Sequence, residues 1–219
     1  MLGVSIIYYL TGSTHYDSIS TCVTLLLSQE EEPRLLIFAI MLILFTLLFK
    51  LSAAPFYHWA PDLYDGLNTN ISVWMMVLPK ITVFSLLYFL KDFLLIPGYT
   101  DAALALSGTL SLIIGSGALT QQWNIKRFFA FSSISHIGFI LLALSSKEPN
   151  SYFIYLFVYI ITTVNIFSIL IILSQHQGRD IKFISQLMGL YHLNPFLSFA
   201  LALNLLSLSG RCASSIFYF

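Results

Sequence analysis

The strongest constraint on this chain is the length of its uncharged apolar runs. Residues 35–49 read LLIFAIMLILFTLLF, and comparable apolar stretches occupy 35–59, 71–95, 102–119, 128–145, 152–173 and 195–209. About 20 helical residues cross about 30 Å of hydrocarbon, so all but the last are near spanning length. The last reaches that length by continuing toward Phe219. Lipid offers no hydrogen bonds to a backbone, so these segments must be helices rather than open strands. Only 9% of the residues are charged, against about 25% in soluble domains. The expected fold class is therefore all-α, a polytopic transmembrane helix bundle. It has about six spanning or partly spanning helices, with a half-length apolar helix over 1–10 ahead of them. Residues 1–219 read as a single membrane domain.

Polar or turn-rich connections fall at 11–34, 61–70, 91–101, 120–127, 146–151 and 174–194. Lys126, Arg127, Arg179 and Lys182 lie in loops on one side of such a bundle. Arg34, Lys91 and Lys147 lie on the other, among Asp17, Glu30, Glu31, Glu32, Asp92, Asp101 and Glu148. Lysine and arginine favour the inner side and acids say little, so four against three puts the Lys126 side inside. The net charge is zero, and with no basic patch nucleic acid is excluded as a partner. Cys22 and Cys212 lack metal or redox spacing. We read Cys22 as a small apolar filler and Cys212 as a loop residue. The apolar start lacks the basic n-region of a cleavable signal.

Two lysines interrupt the apolar runs. Lys50 ends the run 35–49, and Lys80 sits well inside 71–95, directly after Pro79. A charge at the bilayer centre costs from about 2.5 to more than 10 kcal/mol, and such residues usually face the protein interior along an ion path. The bland alternative is a lysine that snorkels to the interface; it suits Lys91, at a run's end, far better than Lys80. Burial works against the charged form of a lysine and a nearby carboxylate restores it. A buried lysine with a movable partner is therefore a proton relay, and one with a fixed partner is a static ion pair. Apart from Asp92, where the run 71–95 overlaps the connection 91–101, no Asp or Glu lies inside a spanning run, and the acids nearest Lys50, Asp62 and Asp65, follow Trp59. An acid for Lys50 must then come from another polypeptide.

Pro55 and Pro79 are the expected helix breaks. Proline removes a backbone donor and disturbs the preceding turn, so carbonyls near residues 49–51 need side-chain or water partners. Pro79 should loosen the helix just before Lys80. A packing kink is the competing reading of both. In NIKRFFAFSSISHIGF, residues 124–139, Ser132 and His136 are four apart and share a helix face, with Ser133 beside it. Histidine changes charge in the physiological pH range, which fits a relay as well as a satisfied core residue. Thr162, Thr163 and Asn165 extend a hydrated track, or only bond between helices.

FKLSAAPFYHWAPDLYDG, then PKITVF with Lys80 thirty residues after Lys50, then NIKRFFAFSSISHIGF, occur in that order. Together they resemble the antiporter-like subunit 2 family of respiratory complex I, the proton-pumping NADH:ubiquinone oxidoreductase. The likeness covers nearly the whole chain, and the motifs look more mitochondrial than chloroplast. It implies two inverted five-helix repeats, each with a broken helix bearing a buried ionisable residue. Lys50 is similar to the lysine of the first broken helix and Lys80 to the connecting lysine. His136 lies on a helix of the central hydrophilic axis. The implied mechanism is proton transfer along that axis, driven by charge rearrangement that begins at distant quinone reduction. The implied location is the mitochondrial inner membrane, multi-pass.

The departures set further expectations. LGVSIIYYLTGSTHYDSIS resembles the end of the helix preceding the first broken one, and the family's glutamate-bearing helix is not in this sequence. LNLLSLSG resembles the start of the second broken helix, but RCASSIFYF follows, and the context of Arg211 does not match the family's next lysine. The chain is thus expected to be a middle piece. Its partners would be a separate chain carrying the front helices and a buried glutamate, another carrying the rear helices, further membrane-arm subunits and lipid. No cofactor is expected in this chain; FMN, iron–sulfur clusters and ubiquinone would serve the whole complex. The rival functions are a subunit of a multisubunit cation/proton antiporter and a purely bracing fragment.

Overall fold

The computed structural model describes residues 1–13, 15–28, 34–91, 99–145, 149–178 and 181–208. The described elements are helical: α1 (Leu2–Thr11), α2 (Tyr16–Ser28), α3 (Arg34–Leu51), α4 (Trp59–Gly66), α5 (Thr69–Phe89), α6 (Thr100–Leu119), α7 (Ile125–Ser145), α8 (Pro149–Gln177), a 3₁₀ turn (Ile184–Leu187), α9 (Leu190–Leu193) and α10 (Pro195–Leu208). Among them, α3, α5, α6, α7 and α8 are long and apolar enough to cross a membrane. The chain is an all-α bundle with several membrane crossings.

Three boundaries differ from the sequence reading. The segment 11–34, read as a polar connection, contains α2. Its Tyr16, Ile19 and Val23 follow a helical spacing and pack into the core, Val23 being buried. The mostly polar residues between them, two and then three, disguise that face as a loop. The run 35–59 ends as a helix at Leu51, and α4 then takes up part of the expected connection 61–70, with Pro61 in its first turn. Proline is tolerated there because first-turn N–H groups have no intrahelical acceptor. The connection 174–194 includes the end of α8, the 3₁₀ turn and α9.

One backbone bridge, Asn124 with Phe183, joins the start of α7 to this last connection. Ile125 N donates to Lys182 O and Ile184 N to Trp123 O, each at 3.0 Å. Lys126, Arg127 and Lys182 therefore lie on one side of the bundle, as the alternation of loops requires. Arg179, Lys147, Arg211 and Cys212 lie outside the described residues.

Small residues set the tightest helix pair. A Cβ on Gly138 of α7 would come within 2.6 Å of Gly108 O on α6, and one on Gly115 within 2.7 Å of Ser135 N. Without a hydrophobic drive between helices in lipid, such close backbone approach supplies the packing attraction. The apolar core forms two clusters at different heights. One includes Leu44, Leu48, Leu51, Phe84, Leu87, Ile137, Leu141 and Tyr152. The other includes Ala60, Tyr64, Met76, Phe129, Ala130, Ile166, Phe167 and Leu170. On α5, α7 and α8 alike, the stretch between the two clusters carries buried polar side chains: Lys80, then Ser132 and Ser133, then Tyr159, Thr162 and Thr163.

Gly138→Val places branched carbon against the α6 backbone, so we expect it to lower the stability of the assembled protein by at least about 1–3 kcal/mol. Gly117→Val, where no atom lies within 4 Å of an added Cβ, should change it far less. Thermal melting of the detergent-solubilised assembly compares the two.

Candidate functional site: a polar layer between two apolar clusters

Lys80 occupies the middle of α5, about 15 Å from either end of the helix. It is 3% exposed, so its side chain does not snorkel to an interface. Its Nζ donates to Tyr159 Oη of α8 at 2.9 Å and lies 5.3 Å from the centre of that ring. Among the described residues no carboxylate pairs with it; the ion pairs recorded there all belong to Arg127.

His136 takes the same height on α7. Its Nδ1 is 2.7 Å from Tyr155 Oη, one helical turn before Tyr159 on α8. The His136 ring centre lies 5.7 Å from that of Tyr159 and 6.0 Å from that of Tyr155. Lys80 is also near enough to act on His136 electrostatically. Ser133, buried one turn before His136, donates to Ala130 O at 2.6 Å and neighbours the Tyr159 side chain. Tyr64 of α4 is buried and approaches Tyr159 from the other cluster. A phenol accepts one proton and donates its own. Tyr159 therefore stands between the lysine and the histidine, bonded to the first and in ring contact with the second.

The rest of the expected track divides. Ser132 is buried beside this group. Thr162 and Thr163 are buried but turn their hydroxyls onto their own helix, to Val158 O, Tyr159 O and Ile160 O at 2.9–3.0 Å. They bond within α8 rather than between helices. Asn165 is exposed on the other side of α8, so it does not extend the layer. Pro79 does not end its helix: α5 runs through it to Phe89.

Lys50 stands at the end of α3. It was expected inside the protein, yet it is exposed in this chain. It lines an open cleft with Phe49, Trp59, Pro79, Thr82 and Val83. The cleft is at the height of Lys80, on an apolar face that also shows Phe45, Phe49 and Leu78. No hydrogen bond or ion pair to its amine is found among the described residues. Asp62 and Asp65 do not serve it: Arg127 holds them at 3.0 and 2.9 Å. Lys126 donates to Leu67 O at the end of α4. Lys126 and Arg127 thus tie α7 to the broken segment.

The break near Pro55 is real and longer than a kink. After Leu51, Ser52 adopts φ 58°, the Ala54–Pro55 peptide is cis, and helix resumes only at Trp59. Phe49 O, one of the carbonyls expected to need a partner, accepts from Ser52 N at 3.0 Å and Trp59 Nε1 at 3.2 Å. Ala54 N donates to Ser111 Oγ, and Ala54 O accepts from Ser107 Oγ, both on α6.

A broken helix with a lysine at its break, a second lysine buried on the next helix, and a histidine at the same height is a specific arrangement. A family profile described as "NADH:quinone oxidoreductase/Mrp antiporter, TM" matches residues 1–218. The chain belongs to this family. Within the NADH:quinone oxidoreductase/Mrp antiporter family, it is 36% identical over 228 residues to NADH-ubiquinone oxidoreductase chain 2 of Rhizopus oryzae, covering 96% of this chain and 42% of that protein. A chain of respiratory complex I from Thermus thermophilus superposes with a TM-score of 0.74 and 32% identity, over 95% of this chain and 44% of that one. A chain of the Mrp complex from Dietzia sp. shares the fold, with a TM-score of 0.75 at 21% identity over 95% of this chain and 38% of that one. The chain therefore spans less than half the length of these family members.

Sequence reasoning missed Tyr155, Tyr159, Ser107 and Ser111. The tyrosines at 152, 155 and 159 have a helical spacing, which was the available signal. Among the described residues no group of three or more His, Cys, Asp or Glu is placed to hold a metal.

Tyr159→Phe keeps the ring and removes the acceptor of Lys80. We expect it to destabilise the assembled protein by about 1.5–3 kcal/mol, the range for a hydrogen bond to a charged group. Tyr9→Phe, at an exposed position, should be neutral in the same thermal melt.

Proposed function

We propose that this chain is part of the membrane arm of a redox-driven proton pump that passes electrons from NADH to ubiquinone. Lys50, Lys80 and His136 carry the proton transfer, and Tyr159 and Tyr155 join them. The single observation that carries this reading is a buried lysine bonded to a phenol rather than to a carboxylate. An ammonium fixed in a tight ion pair has little freedom to exchange its proton; one held by a neutral group can pass it on. Ser132, Ser133, Thr162 and Thr163 keep the layer polar. Asn165 contributes only through a neighbour on the outer face of α8. The interruption at Pro55 gives the layer an unwound backbone edge, and such backbone is tolerated at membrane depth where it is buried or lines a cavity.

On this reading the amine of Lys50 faces a carboxylate from outside these 219 residues. Support comes from its place on an open apolar face at the height of Lys80. In lipid an unpaired ammonium there is costly, so another helix covers it and brings the acid. That helix and those covering α10 lie outside these 219 residues. The redox chemistry, with its FMN, iron–sulfur clusters and quinone, belongs to other subunits. Likeness to a fungal NADH-ubiquinone oxidoreductase chain supports a place in the mitochondrial inner membrane.

A subunit of a cation/proton antiporter is the second reading, favoured by the fold shared with the Mrp chain. NADH-driven turnover in the purified assembly separates the two, since only the first reading requires it. Lys50→Met and Lys80→Met test the relay itself. Each should leave a normally assembled complex whose coupled turnover falls about 10²- to 10⁴-fold, the scale for losing a positioned proton-transfer group. A bracing role instead predicts assembly defects, or no change at all. Native gels and proton-pumping assays on the same preparation read both.

A further inference from the structure

The break in the α3–α4 segment is held by a helix that adds no titratable side chain to the polar layer. Ala54 is fully buried. Its N–H donates to Ser111 Oγ at 2.8 Å and its carbonyl accepts from Ser107 Oγ at 2.6 Å. Ser111 Oγ donates in turn to Ser107 O, one turn earlier, at 2.7 Å. The two hydroxyls thus satisfy both backbone groups of one residue that the break deprives of helical partners. Both serines are buried, at 4% and 0% exposure, so water does not replace them readily.

Small polar residues between membrane helices often serve only as glue. Glue does not require both polar groups of one unwound residue to meet consecutive turns of a single helix. The same helix presents Gly108 and Gly115 to α7, where an added Cβ would strike Gly138, Leu142, Ser135 or Phe131. α6 therefore grips the break on one side and the helix of His136 on the other. Lys50 is four residues before Ala54, and Ala53 N donates back to Leu48 O at 3.1 Å. Fixing Ala54 fixes the last turn of α3, the backbone from which the Lys50 side chain leaves.

We infer that Ser107 and Ser111 are positioning residues for proton transfer: by clamping Ala54 to α6 they hold the Lys50 amine at the height of Lys80. The inference rests on the relay reading of Lys50 given above, and it adds two side chains that neither titrate nor touch the lysines.

The test is the Ser107→Ala/Ser111→Ala double variant in the assembled complex, beside Lys50→Met. Three quantities are measured: the amount of assembled complex, NADH-driven proton pumping, and the pH profile of that pumping. We expect normal assembly, pumping lowered about tenfold, as for one lost buried hydrogen bond acting on the transfer step, and a displaced pH profile. Pumping and profile like those of the unmodified complex would overturn the inference. So would a loss of pumping that merely follows a loss of assembled complex with the profile unchanged. If the double variant does not assemble, Ser107→Ala alone, which keeps the Ser111 bond to Ala54 N, is held to the same readouts. A Lys50→Met complex that pumps normally would defeat the relay reading itself. A defective Lys50→Met complex beside a normal serine variant defeats only the positioning role.

Discussion

A lysine in the middle of a membrane helix must be solvated by the protein, and the rest of this bundle is arranged around that requirement. Lys80 is too deep to reach water with its own stem. The protein answers with a phenol from α8, which is itself set among Ser133, His136 and Tyr155. Two apolar clusters close over this group from above and below. They exclude solvent from it and strengthen each polar contact inside. The layer is thus defined as much by the leucines and phenylalanines that bound it as by the side chains that form it.

The broken segment extends the layer to the edge of the bundle. Its unwound residues would be costly in hydrocarbon if left unpaired. Instead Phe49 O and both backbone groups of Ala54 find partners within the fold. The price of the interruption falls on α6, which uses glycines to approach α7 and serines to hold the break. The acids after the break are committed to Arg127. Lys50 is left facing outward, where a charge in lipid calls for a partner on a neighbouring helix.

Most of the architecture was legible because membrane depth leaves few options. Long uncharged runs must be helices, so five crossings follow from composition and length. Lys80 could be placed inside the protein from its distance to either end of the run. Other features depend on pairings that no local pattern carries. Tyr159 meets Lys80 across 79 residues of chain, and a tyrosine in an apolar helix looks like any packing aromatic until its neighbour is known. Ser107 and Ser111 read as ordinary small residues because their acceptor and donor arise only where another helix is broken. Asn165 was grouped with Thr162 and Thr163 by nearness in sequence, but helical rotation carries it to the outer face. α2 was hidden because one narrow apolar stripe among hydroxyl residues resembles a loop.

The most direct test of the central claim is a high-resolution cryo-EM map of the assembled complex around residues 50, 80, 136 and 159, with ordered water resolved. The account predicts a carboxylate from outside these 219 residues within about 3 Å of Lys50 Nζ. It also predicts an unbroken line of side chains and water from that amine through Lys80 and Tyr159 to His136. A Lys50 amine among lipid headgroups, or dry apolar packing between the two lysines, would contradict it.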